Sequence, residues 1–197
     1  EEYCNNIYNR TIDAINKYNP DLIYFDDTVL PFYPINNVGP RIAAHAYNKS
    51  LKENGSQKTV ILGKVLNEAQ KECMVWDIER GIPDRIQEKP WQTCTCIGTW
   101  HYERSFYDNN RYKSAKTVIH MLIDIISKNG NLLLSVPMRG DGTIDDKEEA
   151  ILKTISDWMD INKESIYDTR PWKVFGEGPT ADQINPMKGP GFNENIK

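Results

Sequence analysis

Helical and strand patterns alternate along this chain, and that alternation restricts the fold more than any other feature. The clearest case lies in the second half. Ala115, Val118, Ile119, Leu122, Ile123 and Ile126 form one apolar stripe at helical spacing, closed by Asn129-Gly130. Leu132-Leu133-Leu134-Ser135-Val136 follows as a nearly continuous apolar run. Such a run fits a parallel strand covered on both faces.

The same rhythm extends back to the start. Tyr3, Ile7, Ala14, Ile15 and Tyr18 mark a helix over 3–18, which Asn19-Pro20 stops. Leu22-Ile23-Tyr24-Phe25 reads as a short buried strand ending at Asp26. A proline-punctuated loop leads to Pro40, suited to the first residue of a helix that carries Ile42, Ala46 and Leu51 and ends at Asn54-Gly55. A second strand spans 59–66, a polar or helical piece 67–72, and a third buried strand runs from Met74 to Glu79. The fourth is Trp91 to Ile97, and an aromatic loop covers 99–112. Asp145 or Asp146 caps a last helix with Ile151, Ile155, Trp158 and Met159 on its core face. From Arg170 the chain is rich in Pro and Gly, so the expected division is a domain over 1–172 and a tail or linker over 173–197.

Helix and strand in alternation predict a parallel α/β architecture. About five strands fall short of a complete eight-stranded barrel, which typically takes about 250 residues. The 197 residues, 39% of them hydrophobic, suffice for one sizeable core. The 24 basic residues are scattered among 28 acidic ones, with no basic stripe, which argues against a nucleic-acid partner. No apolar stretch approaches the roughly 20 residues of a membrane span. Cys4, Cys73, Cys94 and Cys96 lack the spacing of a zinc site and read as buried free thiols. Asn48-Lys49-Ser50 and Asn54-Gly55-Ser56 fit the glycosylation triplet, a pattern frequent by chance.

Asp26 and Glu79 each stand where an apolar strand opens into a loop, the position at which an α/β barrel builds its active site. A pair of carboxylates is the minimum equipment for hydrolysing a glycosidic bond. Purely structural roles compete: Asp26 capping its loop, Glu79 pairing with Arg80 or Arg85. Ten tyrosines and five tryptophans offer flat faces on which sugar rings stack, and core packing is the plainer use of most of them.

Five segments occur in a telling order: Pro20-Asp21-Leu22-Ile23-Tyr24-Phe25-Asp26, Trp76-Asp77-Ile78-Glu79-Arg80-Gly81, Trp91 to Gly98, Trp100-His101-Tyr102, and Asn129 to Pro137. With similar gaps, they resemble the catalytic domain of the glycoside hydrolase family 29 α-L-fucosidases over residues 1 to about 180. The resemblance implies a (β/α)8-like fold, of which this chain is roughly the C-terminal half: a partial TIM-like barrel. It implies removal of terminal α-L-fucose from an oligosaccharide or glycoconjugate with retention of configuration, without metal or other cofactor. Asp26 matches the nucleophile. Glu79, in its Glu-Arg-Gly setting, is the best match to the acid/base, with Glu88 as rival. The two roles require Asp26 ionised and Glu79 protonated, the latter helped by the apolar surroundings of Trp76. Trp100, Trp76 and His101 are the expected substrate-binding residues, with core or structural roles as the alternatives.

Other positions are less defined. Asp27 stands where many relatives have glycine, and a solvent-facing carboxylate is the favoured reading. Lys64 is either a site residue or a solvated charge; His45 and His120 sit in helical patterns and read as non-catalytic. The family's pocket also draws on histidines and aromatics from earlier strands, and its usual C-terminal β-sandwich is not evident. A homo-oligomer or a complementing N-terminal half is therefore the expected partner, in a periplasmic or secreted setting. Two further readings stay open: another retaining exo-glycosidase on the same barrel, and a carbohydrate-binding remnant without turnover.

Overall fold

A computed structural model describes residues 1–26 and 29–178. The chain divides into two compact units, the first ending at Asp77 and the second beginning at Ile78.

In the first unit, helix α1 (Glu2–Tyr18) stops as the pattern predicts. Asn19 turns left-handed at φ 45° and donates its N–H to the Ile15 carbonyl. Strand β1 (Leu22–Tyr24) follows. Helix α2 (Val38–Asn54) starts two residues before Pro40, which still falls in the first turn, where a missing N–H breaks no helical bond. Gly55 closes α2 with φ 67° and an N–H to Leu51. Strand β2 (Val60–Gly63) pairs in parallel with β1, Ile23 opposite Ile61. A short 3-10 turn (Gln70–Glu72) leads to strand β3 (Val75–Glu79), which is parallel to β2 through Leu62–Val75 and Gly63–Trp76. Ile15 of α1, Ile42 and Ala46 of α2, Ile61 and Met74 form the core of this unit.

Two expectations for this unit are corrected. Leu51 is exposed, and the buried position one turn after Ala46 is Ser50. The Ser50 hydroxyl accepts the backbone N–H groups of Lys58 and Thr59 at 2.8 and 3.0 Å, tying the end of α2 to the entry of β2. Nor is β1 a buried strand. It stands first in the strand order, and Leu22 is 53% exposed.

In the second unit, the end of β3 meets β4 (Trp91–Cys96). The Thr93 hydroxyl donates to the Ile78 carbonyl at 2.9 Å, and the Arg80 N–H to Cys94 at 3.0 Å. All six residues of β4 are buried. The expected aromatic loop contains a short helix, α3 (Arg104–Asp108), held by the one buried side chain Phe106. Five residues with a single apolar anchor carry no readable period. Helix α4 (Ala115–Ser127) is capped by Ser114, whose hydroxyl accepts the Thr117 N–H at 3.1 Å. Strand β5 (Gly130–Ser135) runs parallel to β4 from Trp91–Gly130 to Cys96–Ser135. Helix α5 (Asp146–Asn162) is capped by Asp145, whose carboxylate accepts the N–H groups of Lys147 and Glu148.

The α4 stripe is rotated from expectation: Met121 and Ile125 are fully buried, whereas Ile123 is exposed. Leu133 of β5 is 44% exposed, so this strand is not covered on both faces; it stands last in the strand order. Gly130 is required where it is. A Cβ there would lie 2.5 Å from the Trp91 ring, whose indole N–H donates to the Lys128 carbonyl at 2.9 Å. All four cysteines are thiols outside any disulfide, Cys94 and Cys96 buried as expected, Cys73 exposed and Cys4 partly so.

The five strands follow one another in sequence order, with α2 between β1 and β2 and α3 and α4 between β4 and β5. This is a partial (β/α)8 barrel. No helix of the described residues is long and apolar enough to cross a membrane. Residues 172–178 carry no helix or strand; the remainder of the expected tail, and Asp27, lie outside the described residues.

Candidate active site

Asp26 follows β1 at its carboxyl end, and the first unit surrounds it with polar partners. The Lys64 ammonium, just past β2, lies 2.6 Å from Asp26 Oδ1. The Tyr24 hydroxyl stands between two carboxylates, 3.1 Å from Asp26 Oδ1 and 2.9 Å from Asp77 Oδ2. Parallel pairing explains the convergence, because adjacent parallel strands bring their carboxyl ends together. The Lys64 hydrogen bond, opposed by burial and then aided by Tyr24 and the Lys64 charge, holds the Asp26 carboxyl below the usual carboxylate range. Asp26 therefore stays ionised at neutral pH while its side chain remains 69% exposed, reachable from solvent. Trp76, on β3, carries the Lys71 ammonium 3.9 Å from its ring centre, so one indole face is already covered.

Lys64 thus belongs with Asp26, a connection the spacing left open. Asp77 and Tyr24 escaped the sequence reading altogether. Asp77 is 1% exposed, and only its alternation with Trp76 and Ile78 along β3 hinted at an inward carboxylate.

In the second unit, Glu79 is the last residue of β3 and is exposed. Arg80 follows in a left-handed conformation, φ 50°, and is buried. Its guanidinium lies 4.4 Å from the centre of the Trp100 ring, and Nη2 donates to the Cys96 thiol sulfur at 3.2 Å. The thiol in turn donates to the Gly98 carbonyl at 3.0 Å. Burial pushes the Cys96 thiol up, away from thiolate chemistry. Lys113 reaches the Cys96 carbonyl at 2.6 Å, and burial pushes its ammonium down to about 8. Trp100 is half-buried with one face under Arg80, while His101 is exposed and its carbonyl accepts the Thr99 hydroxyl.

Glu88 sits elsewhere. The Asn129 side-chain amide donates to the carbonyls of Gln87 and Glu88 at 3.1 and 3.4 Å, and the Gln87 N–H donates to Lys128. Those bonds hold the segment beside the turn that enters β5. Glu88 is therefore at the amino ends of β4 and β5, opposite the ends that carry barrel active sites. His45 on α2 bonds Asn16 of α1 at 2.8 Å, a structural contact. Among the described residues, no group of three or more His, Cys, Asp or Glu could hold a metal ion.

The chemistry available is that of a carboxylate held ionised by a lysine at one strand end, and a second exposed carboxylate followed by an arginine–tryptophan stack at another. The chain is 33% identical over 92 residues to the α-L-fucosidase of Dictyostelium discoideum, covering 47% of this chain and 20% of that protein. It is 27% identical over 169 residues to the tissue α-L-fucosidase of Rattus norvegicus, covering 84% and 36%. The chain thus spans about a fifth to a third of the length of these relatives. A solved α-L-fucosidase from Bacteroides thetaiotaomicron, trapped as a covalent intermediate with 2-fluoro-fucosyl fluoride, shares the fold at a TM-score of 0.68. That similarity covers 86% of this chain and 42% of the other at 18% identity. The family model described as α-L-fucosidase matches residues 1–164, and the chain belongs to that family.

Proposed function

We propose that this chain contributes the catalytic carboxylates of a retaining α-L-fucosidase acting on terminal α-L-fucose of an oligosaccharide or glycoconjugate. The observation that carries the reading is the ionised Asp26 bound to Lys64 at a strand end, within a family match over residues 1–164. In the first step, an Asp26 oxygen attacks the anomeric carbon as the glycosidic bond breaks, and Glu79 gives its proton to the leaving oxygen. In the second, Glu79 takes a proton from water, the water oxygen attacks the same carbon, and fucose and the free Asp26 carboxylate are released. The trapped covalent intermediate of the Bacteroides relative supports a double displacement. The place of Glu88 at the amino ends of β4 and β5 favours Glu79 as the acid/base. Trp100, Trp76 and His101 serve substrate binding, with a cation over one ring of each tryptophan.

Because the chain spans only a fraction of its relatives' length, the remaining pocket groups come from further sequence, a complementing segment or a second copy. The setting proposed is periplasmic or secreted.

Hydrolysis of a panel of aryl glycosides tests the reading. The α-L-fucoside should be cleaved, Asp26→Asn should lower the rate by about a thousandfold or more, and azide should restore turnover to Asp26→Gly as a fucosyl azide. Cleavage of a galactoside or xyloside but not the fucoside would replace the substrate. Fucose binding without turnover, unaffected by Asp26→Asn, would make the chain a binding remnant.

A further inference from the structure

We propose that Arg80 is a positioning residue that fixes both the β3 end bearing Glu79 and the indole of Trp100. The inference rests on the reading of Glu79 as acid/base and of Trp100 as a sugar platform.

Three observations carry it. Arg80 adopts a left-handed backbone at φ 50°, a conformation that costs a non-glycine residue energy and persists only when surroundings enforce it. Its N–H is tied to the Cys94 carbonyl at 3.0 Å, so the strand is pinned at the residue after Glu79. Its side chain then runs inward to 8% exposure and ends in a stack on Trp100, 4.4 Å from the ring centre, with Nη2 on the Cys96 sulfur at 3.2 Å.

A buried guanidinium ordinarily pairs with a carboxylate, since desolvating a charge is expensive. Here the contacts are an aromatic face and a thiol, and Nε has no hydrogen-bond partner. A brace selected for stability alone would be better served by an apolar side chain of similar size. What the guanidinium adds is direction: its planar fork lies over the indole and favours one orientation of that ring. The same side chain therefore sets where Trp100 presents its open face and where β3 ends. Cys96, buried and holding Gly98 through its thiol, is the floor of this arrangement.

The test compares Arg80→Met, Arg80→Lys and Glu79→Gln in the full chain. Two readouts separate positioning from bulk stability. The first is the leaving-group dependence of hydrolysis, since an aryl fucoside with a good leaving group needs little acid assistance. The second is the change of tryptophan emission on adding L-fucose. For Arg80→Met we expect a loss of about 10- to 100-fold on the phenyl fucoside, a much smaller loss on the 2,4-dinitrophenyl fucoside, and a weakened emission response. Arg80→Lys should recover part of the emission response through its ammonium. Equal losses on both fucosides with an unchanged emission response would overturn the proposal. If Glu79→Gln lacks the leaving-group signature, the reading beneath it fails; if Glu79→Gln shows it and Arg80→Met does not, the positioning role alone fails. Should the chain not hydrolyse either fucoside, the binding arm decides. A fucose response in the parent chain that Arg80→Met loses supports the proposal, a response it keeps overturns it, and no response in the parent chain refutes the reading on which it stands.

Discussion

Glu148 offers a test that needs no substrate. It lies in the first turn of α5, fully buried, with neither carboxylate oxygen in a hydrogen bond. Burial first, and then the negative charge of Asp145, push its carboxyl up from 4.5 to about 7; the Asp145 backbone N–H and then Arg139 pull the other way. The neighbouring Tyr112 hydroxyl is engaged with Asp145 at 2.5 Å. A folded-state value above the unfolded one means that protonated Glu148 favours the fold. Its contribution is intact below the unfolded value and is lost as pH rises through the folded value. A shift from 4.5 to about 7 corresponds to about 3 kcal/mol lost by pH 8. Glu148→Gln removes the charge and leaves a buried amide, which costs about 1 kcal/mol. The variant should therefore be more stable than the parent by about 2 kcal/mol at pH 8, or about 4–8 °C in Tm, and level with it or slightly weaker at pH 4.5. Urea titrations at both pH values, followed by tryptophan emission, make the measurement. A difference that does not change with pH would refute the argument, as would a parent chain more stable than the variant at pH 8.

Three shorter predictions follow from the packing and the site. Gly130→Ala drives a methyl to within 2.5 Å of the Trp91 ring and should destabilise the second unit by about 1–3 kcal/mol, read as an earlier urea midpoint; an unchanged midpoint would show that Trp91 can move aside. Lys64→Met removes the ammonium that holds Asp26 low, so the Asp26 titration should move upward and the acidic limb of any pH–rate profile with it, observable by carboxyl-carbon NMR. Asp145→Ala deletes the α5 cap and should cost about 1 kcal/mol, with faster hydrogen exchange at the Lys147 and Glu148 amides as its local signature.

How much of this was legible beforehand depended on whether a residue's role is written into its own neighbourhood. Helix ends were, because Asn19, Gly55 and Asp145 act through backbone bonds within a few residues. Strand existence was legible too, but strand burial was not: Leu22 and Leu133 look like core residues until the strand order places them first and last. Helix α3 stayed hidden because its only buried side chain is Phe106. At the site, the strand-end positions of Asp26 and Glu79 could be read from apolar runs. Their partners could not. Lys64 meets Asp26 across a strand pairing, Asp77 meets Tyr24 from 53 residues away, and Arg80 reaches Trp100 only after a left-handed turn that no propensity assigns to arginine.

The sequential strand order has a consequence for how the molecule is made. Each strand but the last is followed along the chain by the strand beside which it will lie, so each new strand leaving the ribosome finds its pairing edge already synthesised. Loops closed in assembly are those of single crossovers, which keeps the entropic barrier of each addition low. Vectorial synthesis and the topology run in the same direction, and a pause after any crossover leaves a shorter version of the same layered sheet.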